Sequence, residues 1–149
     1  MSSNASDHQV RRAITLVFVK RVSQLVNSGT SVRDAVAQVF GKYKDLIDRS
    51  IFDKDSSAKT DQVDLLLLLQ SELAHRESGD VILVNAATKL VELDVLEDDG
   101  VLQWWDNEKS SDGEDLEKVR EKTRQLVDVL NQSSEEESDD DDDEGDDSE

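Results

Sequence analysis

The chain has 149 residues, no cysteine and no proline, and 36 acidic side chains against 17 Lys and Arg, for a net charge of −19. Lack of cysteine excludes disulfides, thiolate nucleophiles and Cys-ligated zinc and suits a cytosolic or nuclear compartment, while lack of proline points to helices, whose interiors exclude it. The acidic balance repels phosphate, so no direct nucleic-acid partner is expected.

From Asp7 to about Ser28, Val10, Ile14, Val17, Phe18, Val22, Leu25 and Val26 recur at three- and four-residue steps and predict one apolar helical face. Arg11, Arg12, Lys20 and Arg21 fall mainly on the other. Asn27-Ser28-Gly29 ends the helix, and Thr30 or Ser31 can cap a second from about Val32 to Phe52. Its core face is Val32, Ala35, Val36, Val39, Phe40, Tyr43, Leu46 and Ile47, with Gly41 a weak point. Asp53–Thr60 has no apolar period and reads as a mobile loop.

A third helix starts near Asp61 as its cap, and its run Leu65–Leu69 is apolar all round, which predicts neighbours on both sides. That run is also the longest apolar stretch and falls far short of the ~20 residues that span a bilayer, so no membrane partner is expected. A fourth helix, capped by Asp80, turns Val81, Ile82, Val84, Ala87, Leu90 and Val91 inward. Asp94–Asn107 reads as a turn and a short helix with both tryptophans, its opening acidic residues suiting the helix dipole. After a loop, a last helix from about Asp115 to Asn131 buries Leu116, Val119, Leu126, Val127 and Leu130.

The expected fold is therefore all-α, a stack of antiparallel helical hairpins over residues 7–132. Residues 1–6 read as a disordered N-terminus. Residues 133–149 read as a disordered acidic tail, since they contain no apolar side chain to offset the entropy of ordering.

Enzyme chemistry finds little support. His8 and His75 read as surface histidines without ligand spacing, so no metal is expected, and the scattered glycines form no phosphate-cradling loop. Asp98-Asp99-Gly100 and Asp112-Gly113 lack the alternating ligands of a calcium loop. No cofactor and no catalytic residue is predicted.

Charge is graded along the chain. Residues 1–60 carry ten basic and six acidic groups, residues 61–132 seven and eighteen, and residues 133–149 none and twelve. Trp104 and Trp105 stand about 100° apart on a helix, so both cannot face one core. One plugs the core; the other either covers a helix junction or is exposed among Glu97, Asp98, Asp99, Asp106 and Glu108. In the second case carboxylates and cation–π contact make a site for a Lys- or Arg-rich peptide. Ser133, Ser134 and Ser138 each have an acidic residue three positions on, the pattern of an acidophilic kinase; chance matching in an acidic run is the alternative.

The runs LVELDVLEDDGVLQWWDN (Leu90–Asn107) and VREKTRQLVDVLNQSSEEESDD (Val119–Asp140) resemble the two aromatic-and-acidic boxes of the W2 domain. That HEAT-type helical domain ends the epsilon subunit of translation initiation factor 2B and also initiation factor 5. Val10–Phe40 is more similar to the epsilon subunit. Val129 stands where the second box usually has tryptophan. The resemblance places the start of this chain after the family's first helix pair, so no residue matches the glutamate implicated there in nucleotide exchange, and the chain reads as a C-terminal piece.

The resemblance implies a cytosolic module of the guanine nucleotide exchange factor for initiation factor 2. Lysine blocks of that factor's beta subunit would meet Glu97, Asp98, Asp99, Trp104, Trp105, Asp106 and Glu108 together with Glu135, Glu136 and Glu137 of the tail. Its gamma subunit would meet another face, and other initiation factor 2B subunits are further candidates. The alternative is an adaptor or competitor that binds the same partner without exchange, as initiation factor 5 does. A histone- or chaperone-type acidic protein is a third reading, resting on the tail alone.

Overall fold

A computed structural model describes the backbone of residues 4–132 and the side chains from Asp7 onward. The elements are α1 (Asn4–Asn27), α2 (Val32–Lys42), α3 (Lys44–Asp48), α4 (Thr60–Leu73), α5 (Gly79–Glu92) and α6 (Asp98–Asp106). A 3-10 turn (Glu108–Ser111), α7 (Glu114–Arg120), a second 3-10 turn (Glu121–Thr123) and α8 (124–132) complete the chain. There is no strand among the described residues.

The packing is that of a HEAT-type stack. α1, α4 and α6 lie side by side in one layer, and α2, α5 and the turn leading into α8 lie in the other, with α7 against α4 and α5. α4 is the shared wall. Its leucine run is used as predicted, with Leu65, Leu66 and Leu69 buried and Leu67 half-buried against the same core.

The apolar line of α1 runs through Ile14, Phe18 and Val22, while Val10 and Val17, predicted inward, face outward; Val17 is 63% exposed. Arg11, predicted outward, lies on the buried line and is 3% exposed. Every nitrogen of its guanidinium has an acceptor nearby. Nε donates to Asp64 Oδ2 at 2.8 Å, one terminal nitrogen donates to the Ser50 carbonyl at 2.9 Å, and the other lies 3.4 Å from Asp61. A charge sheltered in this way costs less than a bare one, because each of its three nitrogens faces an acceptor. His8, expected at the surface, is half-buried with Nδ1 2.9 Å from the Asp64 carboxylate.

Ser31 caps α2 as expected, its Oγ accepting from the Asp34 N–H. The predicted helix from Val32 to Phe52 breaks at Tyr43 (φ −109°, ψ 25°), just after the weak Gly41. The bend leaves Tyr43 and Leu46 exposed and Ile47 buried, and sets the Tyr43 ring 5.6 Å from Phe18.

Asp61 does not cap α4. It lies in the first turn, and Asp53 Oδ2 accepts its N–H, so the acceptor comes from the preceding loop. That loop, expected to be mobile, is fastened to its neighbours: Lys54 Nζ donates to the Asp94 carbonyl and Gln103 Nε2 to the Ser57 carbonyl, both at 2.8 Å. Such long-range polar contacts leave no periodic trace in sequence.

α5 begins one residue before the expected Asp80 cap, after Ser78 in the left-handed region (φ 62°). Gly79 is required there, because a Cβ would lie 1.9 Å from the Leu73 carbonyl oxygen. Its inward face is Ile82, Leu83, Ala86, Ala87 and Leu90; Val81, Val84 and Val91, predicted inward, are half-buried. The last predicted helix is divided by the 3-10 turn at Glu121–Thr123, and Leu116 is half-buried while Val119, Val127 and Leu130 join the core.

Candidate functional site: the tryptophan pair and its acidic edge

α6 is anchored at its N-terminus by two buried side chains of the α4 region. The Glu97 N–H donates to Gln62 Oε1 at 2.8 Å, and Gln62 Nε2 donates back to Glu97 Oε1 at 3.3 Å. Lys59 Nζ lies 2.7 Å from the same carboxylate oxygen. The hydrogen bond from Lys59 holds the Glu97 carboxyl below its ordinary acidity range, partly opposed by burial and assisted by Gln62. Gly100 allows this close approach, since a Cβ would lie 2.1 Å from Gln62 Oε1.

The two tryptophans diverge as the helical step requires. Trp104 is 0% exposed. Its Nε1–H donates to Gln70 Oε1 at 3.0 Å, while Gln70 Nε2 donates to the carbonyls of Ser110 and Leu116 at 2.7 and 2.9 Å. One buried glutamine thus fixes the indole, the turn after α6 and the start of α7. A ring of this size contributes its apolar area without leaving a donor unpaired.

Trp105 is half-buried, its ring 5.9 Å from that of Trp104 at 68°. The Arg120 Cζ stands 3.9 Å from the Trp105 ring centroid and that of Arg124 5.2 Å. One Arg120 nitrogen also donates to the Trp105 carbonyl and to Ser110 Oγ, both at 2.8 Å. Burial lowers the Arg120 pKa, and the charges of Glu117, Glu121 and Asp106 oppose that shift.

Among the predicted site residues, Asp98, Asp99, Asp106 and Glu108 are exposed, while Glu97 is committed to Lys59 and Gln62. Asp98 and Asp99 stand at the far end of α6 from Trp105, about 10 Å along the axis at 1.5 Å per residue. The carboxylates therefore line an edge and do not form a ring around one indole. Glu117 and Glu121, exposed on α7 and the turn after it, stand with Asp106 near Arg120, and exposed Glu114 and Asp115 share the α7 surface with them. Glu135, Glu136, Glu137, Ser133, Ser134 and Ser138 lie outside the described residues.

Sequence reading missed Gln62, Gln70, Arg120 and Arg124. The four-residue spacing of the two arginines within an acidic stretch was the one available signal. Among the described residues no cluster of three or more His, Asp or Glu is arranged to hold a metal ion, and no helix is long and apolar enough to cross a membrane.

Fold and surface together define a HEAT-type helical-repeat domain with an acidic edge beside a half-buried indole. The chain belongs to the W2 family, described as eIF4-gamma/eIF5/eIF2-epsilon, which matches residues 61–140 and makes this a translation initiation factor domain. It is also 30% identical over 132 residues to translation initiation factor eIF2B subunit epsilon of Schizosaccharomyces pombe. The match takes in 88% of this chain and 18% of that relative. No solved structure matches the fold significantly.

Proposed function

We propose that this domain serves translation initiation as an interaction module for initiation factor 2, within a guanine nucleotide exchange factor. The α6–α7 edge takes lysine-rich segments of the beta subunit, and a separate face contacts the gamma subunit. The observation that carries this reading is the half-buried Trp105 beside exposed Asp106, Glu108, Glu117 and Glu121, in a chain of the W2 family. Lysine ammonium groups are drawn to such an edge by charge at long range and held by charge-assisted contacts at short range.

The domain makes or breaks no bond. Exchange would come from distorting the nucleotide site of the partner, and the chain alone is expected not to accelerate GDP release. Binding of purified initiation factor 2, compared between the full chain and a variant with Asp106, Glu108, Glu117 and Glu121 changed to Asn or Gln, tests the reading. Loss of binding by the folded variant supports it, and unchanged binding overturns it. Stopped-flow release of labelled GDP in the same samples should show no acceleration by the chain; faster release would overturn that expectation and place the exchange surface within residues 8–131.

A further inference from the structure

The Trp105 ring is not empty in this fold. Two cations of the chain's own stand against it, and they are held very differently. Arg120 is half-buried and is fastened by its bonds to the Trp105 carbonyl and Ser110 Oγ. Arg124 has a side chain 55% exposed, and its partner is the still more exposed Glu121, with Nε 3.2 Å from Oε2. Such a surface pair contributes little to stability and exchanges readily.

We infer that Trp105 and Glu121 form a seat for one cationic side chain, that Arg124 fills it in the free domain, and that a lysine of the partner segment displaces Arg124 on binding. The inference rests on the lysine-binding role proposed above and adds which residue the partner must compete with. The chemistry of the seat is shown by its present occupant: a guanidinium within about 6 Å of the ring centroid gains cation–π attraction, and the neighbouring carboxylate neutralises it. A lysine ammonium satisfies both requirements. Arg120 stays in place as the positioning residue, because removing it would leave the Trp105 carbonyl only its longer bond from Ser110 Oγ, at 3.3 Å, and would loosen the turn after α6. Arg124 thereby sets a threshold: a single mobile cation is outcompeted only by a segment that presents several lysines at once.

The test uses the full chain, a hexalysine peptide as probe and tryptophan emission as readout. Arg124→Gln empties the seat; Lys118→Gln removes one positive charge from α7, where Lys118 is exposed and does not stack on Trp105. Arg124→Lys restores a cation. The expected result is a midpoint at about two- to five-fold lower peptide concentration for Arg124→Gln than for the natural protein or Lys118→Gln. Arg124→Lys should stay near the natural midpoint. Equal midpoints for Arg124→Gln and Lys118→Gln would overturn the seat while leaving the lysine reading intact. No emission response in any of the four proteins would overturn the lysine reading and the seat together.

Discussion

Trp104 lies at the floor of α6 with its N–H taken by Gln70 and its ring closed to solvent, whereas Trp105, one residue on, lies at the rim against Arg120 and beside exposed carboxylates. The same side chain thus has two environments, separated by a single helical step. The difference teaches that an indole whose donor and faces are all satisfied inside the fold has nothing left to offer a ligand. One stacked against a cation and partly open to solvent does.

The sharpest way to break this contrast is to remove the floor. Trp104→Ala should cost about 4 kcal/mol in urea unfolding, the range for truncating a buried large aromatic; a loss under 1 kcal/mol would show that Trp104 is not the floor. Gln70→Leu keeps the volume but leaves the Trp104 N–H and the carbonyls of Ser110 and Leu116 without their partner. Its cost should be about 3 kcal/mol, the upper range for unmet buried polar groups. Thermal unfolding checks it, and a stability equal to the natural protein would mean that water replaces the glutamine. At the rim, Trp105→Ala should leave the protein folded and weaken binding of a lysine-block peptide by about 2 kcal/mol, as for an interface hot spot. Unchanged affinity would make the rim structural too.

The smallest expected effect is a pH dependence at the far end of α6. Glu97 is held below its ordinary pKa by Lys59, so its contribution is present above the ordinary carboxylate range and is lost as pH falls through the lowered folded value. Glu97→Gln should therefore lower stability at neutral pH and leave it nearly unchanged under acid. A constant difference between the two proteins at every pH would assign the effect to packing.

What could be read from sequence follows from the range of the forces involved. Helices with apolar residues at three- and four-residue steps, such as α2 through Ala35, Val36, Val39 and Phe40, were legible because burial repeats with the helix. So was the Ser31 cap, whose hydrogen bond spans three residues. Arg11 was misplaced because a periodicity argument treats charge as solvent-facing, while its acceptors on Ser50, Asp61 and Asp64 come from 39 to 53 residues away. The break at Tyr43 was half visible in Gly41. That one tryptophan must leave the core followed from helix geometry; which one depended on Gln70, 34 residues earlier, and on Arg120, 15 residues later.

The division of labour between floor and rim is tested most directly by tryptophan emission in two single-tryptophan proteins titrated with the lysine-block peptide. Trp104→Phe keeps only the rim indole and should retain the full emission response. Trp105→Phe keeps only the floor indole and should show none. A response in the Trp105→Phe protein as large as that in Trp104→Phe would contradict the account.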